Sequence, residues 1–189
     1  MIKRAIPKVN TVTTTKVLGE ELAKLSLSLA SKENATYADL RLVNTRDQQV
    51  SVVNDESSSE ESTTQGVGVR VLYDGAGWGF ADTDETDSDS IRKVTLKAVS
   101  LAKGASKVGS KVTFADEPVH VDTWESLAKK DPFQVSLEEK YSVLREATGR
   151  MKGDNVVVRR GQMSFTSIEK YFASSEGSKI FQKLTQSGA

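Results

Sequence analysis

Metal-dependent and nucleophilic enzymes depend on a few reactive side chains, and this chain of 189 residues supplies few of them. It has one histidine, His120, and no cysteine. A single imidazole cannot complete a zinc site, which takes about three protein ligands, and no H-E-x-x-H pattern can form around it. The missing cysteines exclude thiolate zinc sites and cysteine nucleophiles. We therefore expect no catalytic residue and no metal site within this chain.

Two further clusters invite a ligand-binding interpretation but lack the spacing that it requires. Five glycines lie close together, at Gly66, Gly68, Gly75, Gly77 and Gly79. Their spacing matches neither a P-loop nor G-x-G-x-x-G, so they predict turns and bulges. The acidic run of residues 82–89 does not match a calcium loop, because a loop counted from Asp82 would place Asp87 where glycine is required. This run predicts favourable charge at the start of the helix that follows.

The composition excludes some classes of partner. The 26 lysines and arginines balance 26 acidic residues, so the attraction that drives binding to nucleic acid or anionic membrane is absent. No apolar run approaches the about 18 residues of a spanning helix, and residues 1–8 lack the apolar core of a secretory signal. We expect a soluble, cytoplasmic protein without direct nucleic-acid or membrane partners. Residues 1–15 are interpreted as a solvated N-terminal arm, with a targeting segment as the alternative.

Hydrophobic periodicity predicts the elements that must position any site. Apolar residues three and four apart predict helices at residues 16–31, 88–107 and 137–151. Thr86 with Asp89, and Ser136 with Glu139, resemble capping boxes ahead of the second and third helices. Alternating patterns predict five short strands after the first helix, beginning with 39–43 and 49–53, and three after the third, at 156–160, 163–172 and 179–185. Polar breaks at residues 44–47, 54–59 and 74–77 have hairpin lengths and favour antiparallel pairing.

The order of these elements indicates an internal duplication. A helix-plus-three-strand unit covers about residues 16–66 and recurs over 136–189, at an offset of roughly 120 positions. Between them lie an extra hairpin, the central helix 88–107 and an extended connector, 108–135, with strand character around 112–114 and 119–121. The predicted fold class is α+β with antiparallel sheets. The second unit stops where the first continues, so we expect residues 179–185 at a sheet edge and a truncated chain.

Four motifs occur in order along the chain: Tyr37-Ala-Asp-Leu-Arg41, Gly66-Val-Gly-Val-Arg70, Asp74-Gly-Ala-Gly-Trp-Gly-Phe-Ala81 and Ser175-Glu-Gly-Ser178. With these motifs the chain resembles the N-terminal domain of the TldD/PmbA family, from about residue 16 to the last residue. The proteins of this family were named as modulators of DNA gyrase and are regarded as metallopeptidases. The resemblance implies one such N-terminal domain over residues 16–189.

The resemblance also implies what lies outside this domain. A mainly β domain would carry the zinc site, with an H-E-x-x-x-H helix and a further cysteine, and that catalytic C-terminal domain is absent here. Family members are implied to form homodimers, or heterodimers of an active and a metal-free paralogue, enclosing a chamber where small or unfolded peptides are cut. The chain is then a substrate-channel and dimer-forming domain that is inactive by itself. The alternative is a non-catalytic interaction module from the metal-free partner subunit, binding peptide or the active paralogue.

Candidate contact positions follow from the hairpin of residues 67–80 and from the family motifs. Strand edges bind extended peptides through main-chain hydrogen bonds, and arginine and tryptophan are enriched at binding hot spots. The candidates are Arg41, Gly66, Gly68, Arg70, Trp78, Gly79, Phe80, Glu176 and Gly177. The structural alternative is that Arg70 pairs with an internal acid and that Trp78 fills the core between hairpin and helix.

Overall fold

The regular structure of the described residues consists of three α-helices, one short 3-10 helix (Pro132–Gln134) and six strands. The computed structural model describes residues 11–189, with side chains from Thr15 onward. The helices are α1 (Thr11–Lys32), α2 (Ser88–Ala105) and α3 (Leu137–Gly149). The strands are β1 (Ala35–Val53), β2 (Glu56–Tyr73), β3 (Gly77–Thr83), β4 (Val121–Glu125), β5 (Arg160–Ser174) and β6 (Lys179–Gly188).

The strands form one mostly antiparallel sheet in the order β3-β2-β1-β5-β6-β4. Strands β2 and β3 pair antiparallel. Strands β1 and β5 also run in opposite directions, because Ala38 bonds to Ser175 near one end and Asn54 bonds to Arg159 near the other. Three α-helices accompany this mostly antiparallel sheet, so the predicted α+β class is confirmed.

Strand β4 comes from the connector and pairs with β6. The Lys179 amide donates to the His120 carbonyl (2.8 Å) and the Ser126 amide donates to the Lys183 carbonyl (2.9 Å), so the two strands run parallel. Strand β6 therefore lies between β5 and β4, and the expectation that residues 179–185 form an edge strand is wrong. The connector forms this one strand instead of strands at 112–114 and 119–121. The edges of the described sheet are β3 and β4.

Strand β1 is much longer than the alternating pattern predicted. The predicted break at residues 44–47 is wrong, because its polar side chains bond to neighbouring strands. Arg46 Nε donates to Glu61 of β2 (2.6 Å) and Thr166 Oγ1 of β5 donates to Asp47 (2.6 Å). Residues 39–43 and 49–53 are thus parts of one strand, which ends at a turn where Asn54 has a φ of 57°.

The helices agree with the hydrophobic periodicity more closely than the strands do. Helix α3 has the predicted cap, with the Glu139 amide donating to Ser136 Oγ (3.1 Å). The cap of α2 is Asp87, which accepts from the amides of residues 89 and 90, so the capping role given to Thr86 is wrong. Helix α1 begins at Thr11, before the predicted residue 16. Residues 1–10 of the predicted N-terminal arm lie outside the described residues, and residues 11–15 belong to α1.

The second half of the chain holds two long strands where three short ones were predicted. Residues 156–159 form no strand, and β5 begins at Arg160. Helix α1 is followed by two long strands, β1 and β2, and helix α3 is likewise followed by β5 and β6. This order fits a duplicated unit of one helix and a hairpin, and the duplication itself stays a prediction from the sequence.

The chain divides into two compact units. Unit 1 holds the described residues through Val43, Gln65–Trp124 and Glu169–Gln182. In unit 1, helices α1 and α2 pack on one face of the strands. The strand side chains of that core include Ala38, Leu40, Leu42, Val67, Val69, Val71, Ala81 and Phe181.

Unit 2 holds Asn44–Thr64, Glu125–Ile168 and Lys183–Ala189. Its core consists of Val50, Val52, Leu144 and Phe165. Lys140 of α3 is only 3% exposed, donates to Gln48 Oε1 and lies 4.2 Å from the centre of the Phe165 ring. Burial lowers the pKa of the Lys140 ammonium.

Candidate functional site

Several residues selected from the sequence share one face of the sheet in unit 1. On β1 the side chains of Leu40 and Leu42 belong to the core beneath the helices. Because side chains alternate along a strand, Asp39 and Arg41 project from the opposite face. Arg70 contacts Asp39 and therefore lies on that face as well.

The register of β3 adds two aromatic residues to this face. Trp78 lies opposite Leu72, and Phe80 lies opposite Arg70. Directly opposed residues of an antiparallel pair share a face. We call the surface formed by Asp39, Arg41, Arg70, Trp78 and Phe80 the helix-free face, because α1 and α2 pack on the other side of these strands.

A buried carboxylate organises the helix-free face. The Asp39 side chain is 2% exposed, and its Oδ2 accepts a hydrogen bond from Arg70 Nε (2.8 Å) and forms an ion pair with Arg70 Nη2 (2.7 Å). Arg41 Nη2 lies 3.9 Å from the other oxygen, Oδ1. The two arginine side chains are 40% and 49% exposed, respectively. One buried anion thus holds two half-exposed cations, which leaves this group with a net charge of +1.

Aromatic rings support both guanidinium groups. The guanidinium carbon of Arg70 lies 4.9 Å from the centre of the Trp78 ring, and that of Arg41 lies 5.4 Å from the Phe172 ring. Trp78 meets Tyr37 edge to face at 5.9 Å. Phe114, from the segment after α2, lies 5.0 Å from Tyr37 and 5.9 Å from Trp78. The Trp78 ring is therefore partly covered and acts as packing support as well as surface.

The pKa of the Tyr37 hydroxyl depends on the burial and charge of this site. Burial, followed by the charge of Asp39, raises the pKa of Tyr37 from 10.0 to about 12. Because the folded pKa is the higher one, Tyr37 contributes stability that is complete below about pH 10 and is lost as pH rises towards 12. Two pKa units correspond to a loss of roughly 2–3 kcal/mol in the free energy of unfolding.

We expect Tyr37→Phe to remove most of this alkaline loss, measured by urea denaturation between pH 9 and pH 11.5. Tyr141→Phe, which removes a tyrosine from unit 2, is the matched control and should keep the wild-type slope. An unchanged slope in Tyr37→Phe would show that another group causes the loss.

The glycines and Phe80 have different roles. Phe80 is 58% exposed, and its ring lies over Gly68, where an added Cβ would approach ring atoms to 3.1 Å. Gly79 faces the helices, and a Cβ there would lie 2.0 Å from the Ala98 carbonyl of α2. Gly66 has room, since the nearest atom to an added Cβ is 3.9 Å away. Gly79 is therefore a packing position rather than part of the helix-free face.

Glu176 and Gly177 lie in the turn between β5 and β6. Gly177 has a φ of 102°, a conformation that side chains other than glycine's rarely adopt. The neighbouring Ser175 bonds to the main chain of Ala38 at the start of β1. None of the described side-chain contacts joins Glu176 to Arg41 or Arg70. The structure brings together Arg41, Gly68, Arg70, Trp78 and Phe80, and it places the turn residues elsewhere.

The group at the centre of the site, the Asp39 carboxylate, was not among the candidates predicted from the sequence. Asp39 lies inside the first of the four motifs, but an acid that alternates with apolar residues in a strand is also typical of a solvent-facing position, so its burial could not be predicted. The i, i+2 spacing of Asp39 and Arg41 placed both on one face. The supporting rings of Phe114 and Phe172 carried no comparable signal, because their contacts depend on distant segments.

The described residues do not fit a metal centre. No group of three or more histidine, cysteine, aspartate or glutamate side chains in residues 15–189 is placed to hold a metal ion. His120 lies exposed ahead of β4. The described helices include no candidate membrane-spanning segment.

Comparison with known proteins relates this chain to metallopeptidases. Residues 38–102 match the family described as PmbA/TldA metallopeptidase domain 1. A metalloprotease from Methanocaldococcus jannaschii is 28% identical over 159 residues, which cover 82% of this chain and 34% of that protein. Together with the four motifs, these matches confirm the resemblance to the TldD/PmbA family, and the family match lies in its first domain.

Two solved structures share the fold. A candidate modulator of DNA gyrase from Bacteroides thetaiotaomicron superposes with a TM-score of 0.68 at 13% identity, covering 88% of this chain and 38% of that one. TldE from Thermococcus kodakarensis gives 0.64 at 18% identity, covering 90% and 37%. At these identities the likeness concerns the fold alone. The chain spans little more than a third of the length of these relatives.

Proposed function

We propose that this chain is the peptide-contacting and dimer-forming domain of a TldD/PmbA-type metallopeptidase that acts on small or unfolded peptides. The observation that carries the proposal is the helix-free face, where Arg41, Arg70 and Phe80 are exposed together. Exposed arginine and aromatic side chains on one surface are typical of binding hot spots.

The position of β3 supports contact with extended peptides. Strand β3 is an edge of the described sheet, and its Phe80 projects from the helix-free face beside Arg70. An edge strand presents main-chain donors and acceptors that can pair with any extended peptide. A peptide added along β3 would carry alternate side chains past Phe80 and Arg70. Such pairing requires little sequence specificity, which suits unfolded substrates.

Catalysis is assigned to residues outside this chain. Hydrolysis by a metallopeptidase needs about three protein ligands that hold a metal and lower the pKa of its bound water. This sequence supplies one histidine and no cysteine. We propose that zinc belongs to a further domain with an H-E-x-x-x-H helix and a downstream cysteine, and that the 189 residues bind peptide without cutting it.

We expect the chain to bind a fluorescently labelled unfolded polypeptide without cleaving it, even when zinc is added. Fluorescence anisotropy measures the binding, and electrophoresis of the same sample measures cleavage. Phe80→Ser should weaken binding by about fivefold to tenfold, because it removes an exposed ring of the contact surface.

The matched control is Leu101→Ser, which removes an exposed apolar side chain from α2. It should leave the affinity unchanged. Equal effects of the two substitutions would show binding by general hydrophobicity and would contradict the proposal. Chelator-sensitive cleavage that is lost in His120→Ala would show that the chain is an enzyme by itself.

A non-catalytic module from a metal-free partner subunit would use the same surface. In that case the domain binds peptide or the active paralogue, and no metal-ligating helix is encoded in the same gene. The coding sequence after residue 189 distinguishes the two, since only the first proposal requires H-E-x-x-x-H followed by a cysteine. Sedimentation of the chain alone and with a family paralogue tests homodimer against heterodimer.

A further inference from the structure

We propose that Arg41 and Arg70 form a carboxylate-binding site on the helix-free face, and that the ligand is an acidic group of an extended peptide. This inference rests on the proposed peptide contact and adds a preference for one chemical class of peptide. It follows from the hydrogen bonds, charge and aromatic support around Asp39.

The two guanidinium groups retain unused donors. Asp39 engages Nε and Nη2 of Arg70, and Tyr37 is a further hydrogen-bond partner of this guanidinium, so Asp39 and Tyr37 leave part of its five N–H donors for another acceptor. Arg41 is an ion-pair neighbour of Asp39 at 3.9 Å, beyond hydrogen-bond distance, and its side chain donates no hydrogen bond within the described residues. A guanidinium group offers five N–H donors, so most of those of Arg41 are available to a ligand.

The charge balance favours an anion. Asp39 is buried and already bonded to Arg70, so it cannot neutralise Arg41 fully. On β3 and β5, the strands that flank this group, alternation places two further charged side chains on this face, Lys170 of β5 and Asp82 of β3. These two offset each other, so the net charge around the two arginines stays at +1. Asp122 of β4 falls on the same side, because its neighbour Thr123 bonds to Lys16 of α1, but β5 and β6 separate β4 from β1. A carboxylate has two oxygens and can accept charge-assisted hydrogen bonds from both arginines.

The surroundings hold the arginines in place and limit the entropy that binding costs. Asp39 pairs with Arg70, and the guanidinium carbons of Arg70 and Arg41 lie over the Trp78 and Phe172 rings, respectively. Ordered side chains lose less conformational freedom when a ligand binds. Phe80, exposed beside Arg70, offers contact to an apolar residue next to the acidic one. The site therefore fits a peptide in which an apolar residue and an acidic group are neighbours.

The test compares three blocked peptides by calorimetry and by NMR of the arginine Nε–Hε signals. The first is acetyl-Ala-Phe-Glu-Ala-amide, the second replaces Glu by Gln, and the third is the Gln peptide with a free C-terminal carboxylate. We expect the Glu peptide to bind about tenfold more tightly than the Gln amide and to shift the Arg41 signal. The third peptide distinguishes a side-chain carboxylate from a C-terminal one.

Arg41→Gln should remove the tenfold preference while the chain stays folded, because Arg41 is exposed and only loosely paired. Arg92→Gln, an exposed arginine of α2, changes the net charge equally and should keep the preference. Equal affinity for the Glu and Gln peptides would overturn the carboxylate site and leave the proposed peptide contact standing. The same loss in Arg92→Gln would also overturn it, since the attraction would then be general. Failure of all three peptides to bind overturns the carboxylate site, and only failure of the unfolded polypeptide as well contradicts the proposed function.

Discussion

Replacement of Gly79 by alanine is expected to destabilise unit 1 severely. An added Cβ would lie 2.0 Å from the Ala98 carbonyl oxygen and 2.5 Å from the Ala102 amide nitrogen, both in the main chain of α2. Main-chain atoms of a helix cannot move alone, so α2 as a whole would have to separate from β3. Overpacking of a core typically costs about 1–3 kcal/mol, and we expect more than about 3 kcal/mol here because the contact is with rigid backbone. Urea denaturation measures this loss.

Gly104→Ala provides the matched control within the same helix. No heavy atom lies within 4 Å of a Cβ at that position. Alanine replaces glycine in a helix with a gain of up to about 1 kcal/mol, so the control should be unchanged or slightly more stable. A Gly79→Ala protein as stable as wild type would show that β3 and α2 are further apart than the structure places them.

The helices could be predicted from the sequence because the information that defines them is local. Residues at a spacing of three and four make up one face, and the α3 cap uses Ser136 and Glu139, which are three positions apart. The long strands could not be predicted in the same way. Residues 44–47 have the composition of a turn, and they stay extended because Arg46 and Asp47 bond to Glu61 and Thr166, which lie on other strands.

Some residues of the candidate site could be predicted from the sequence, but their spatial arrangement could not. Arg41, Arg70, Trp78 and Phe80 were selected for their residue types and motifs. Their common face depends on the register that pairs Arg70 with Phe80, and sequence alone does not give that register. The neighbouring Gly79 was selected with them, and alternation turns it to the opposite face, where it packs on α2. A shift of the register by one residue would exchange these roles.

Arg70→Met is expected to be the most destabilising change within the site. Asp39 is 2% exposed, accepts a hydrogen bond from Arg70 Nε and forms an ion pair with Arg70 Nη2. Removal of the arginine leaves a buried carboxylate without its partner, and such losses cost about 3–5 kcal/mol. Arg70 is itself 40% exposed, so some of its ion-pair energy is screened by water, and we expect a cost near the lower limit.

Arg41→Met is the matched control, because Arg41 approaches the same carboxylate from 3.9 Å and is half-exposed. An exposed, loosely paired arginine contributes at most about 1 kcal/mol, so this variant should remain close to wild type in urea denaturation. The double variant Asp39→Asn with Arg70→Met should recover part of the loss, because a neutral amide is cheaper to bury than an unpaired carboxylate. If Arg70→Met costs no more than Arg41→Met, Asp39 is neutralised by another group. Arg70 would then be free for a ligand without being essential to the fold.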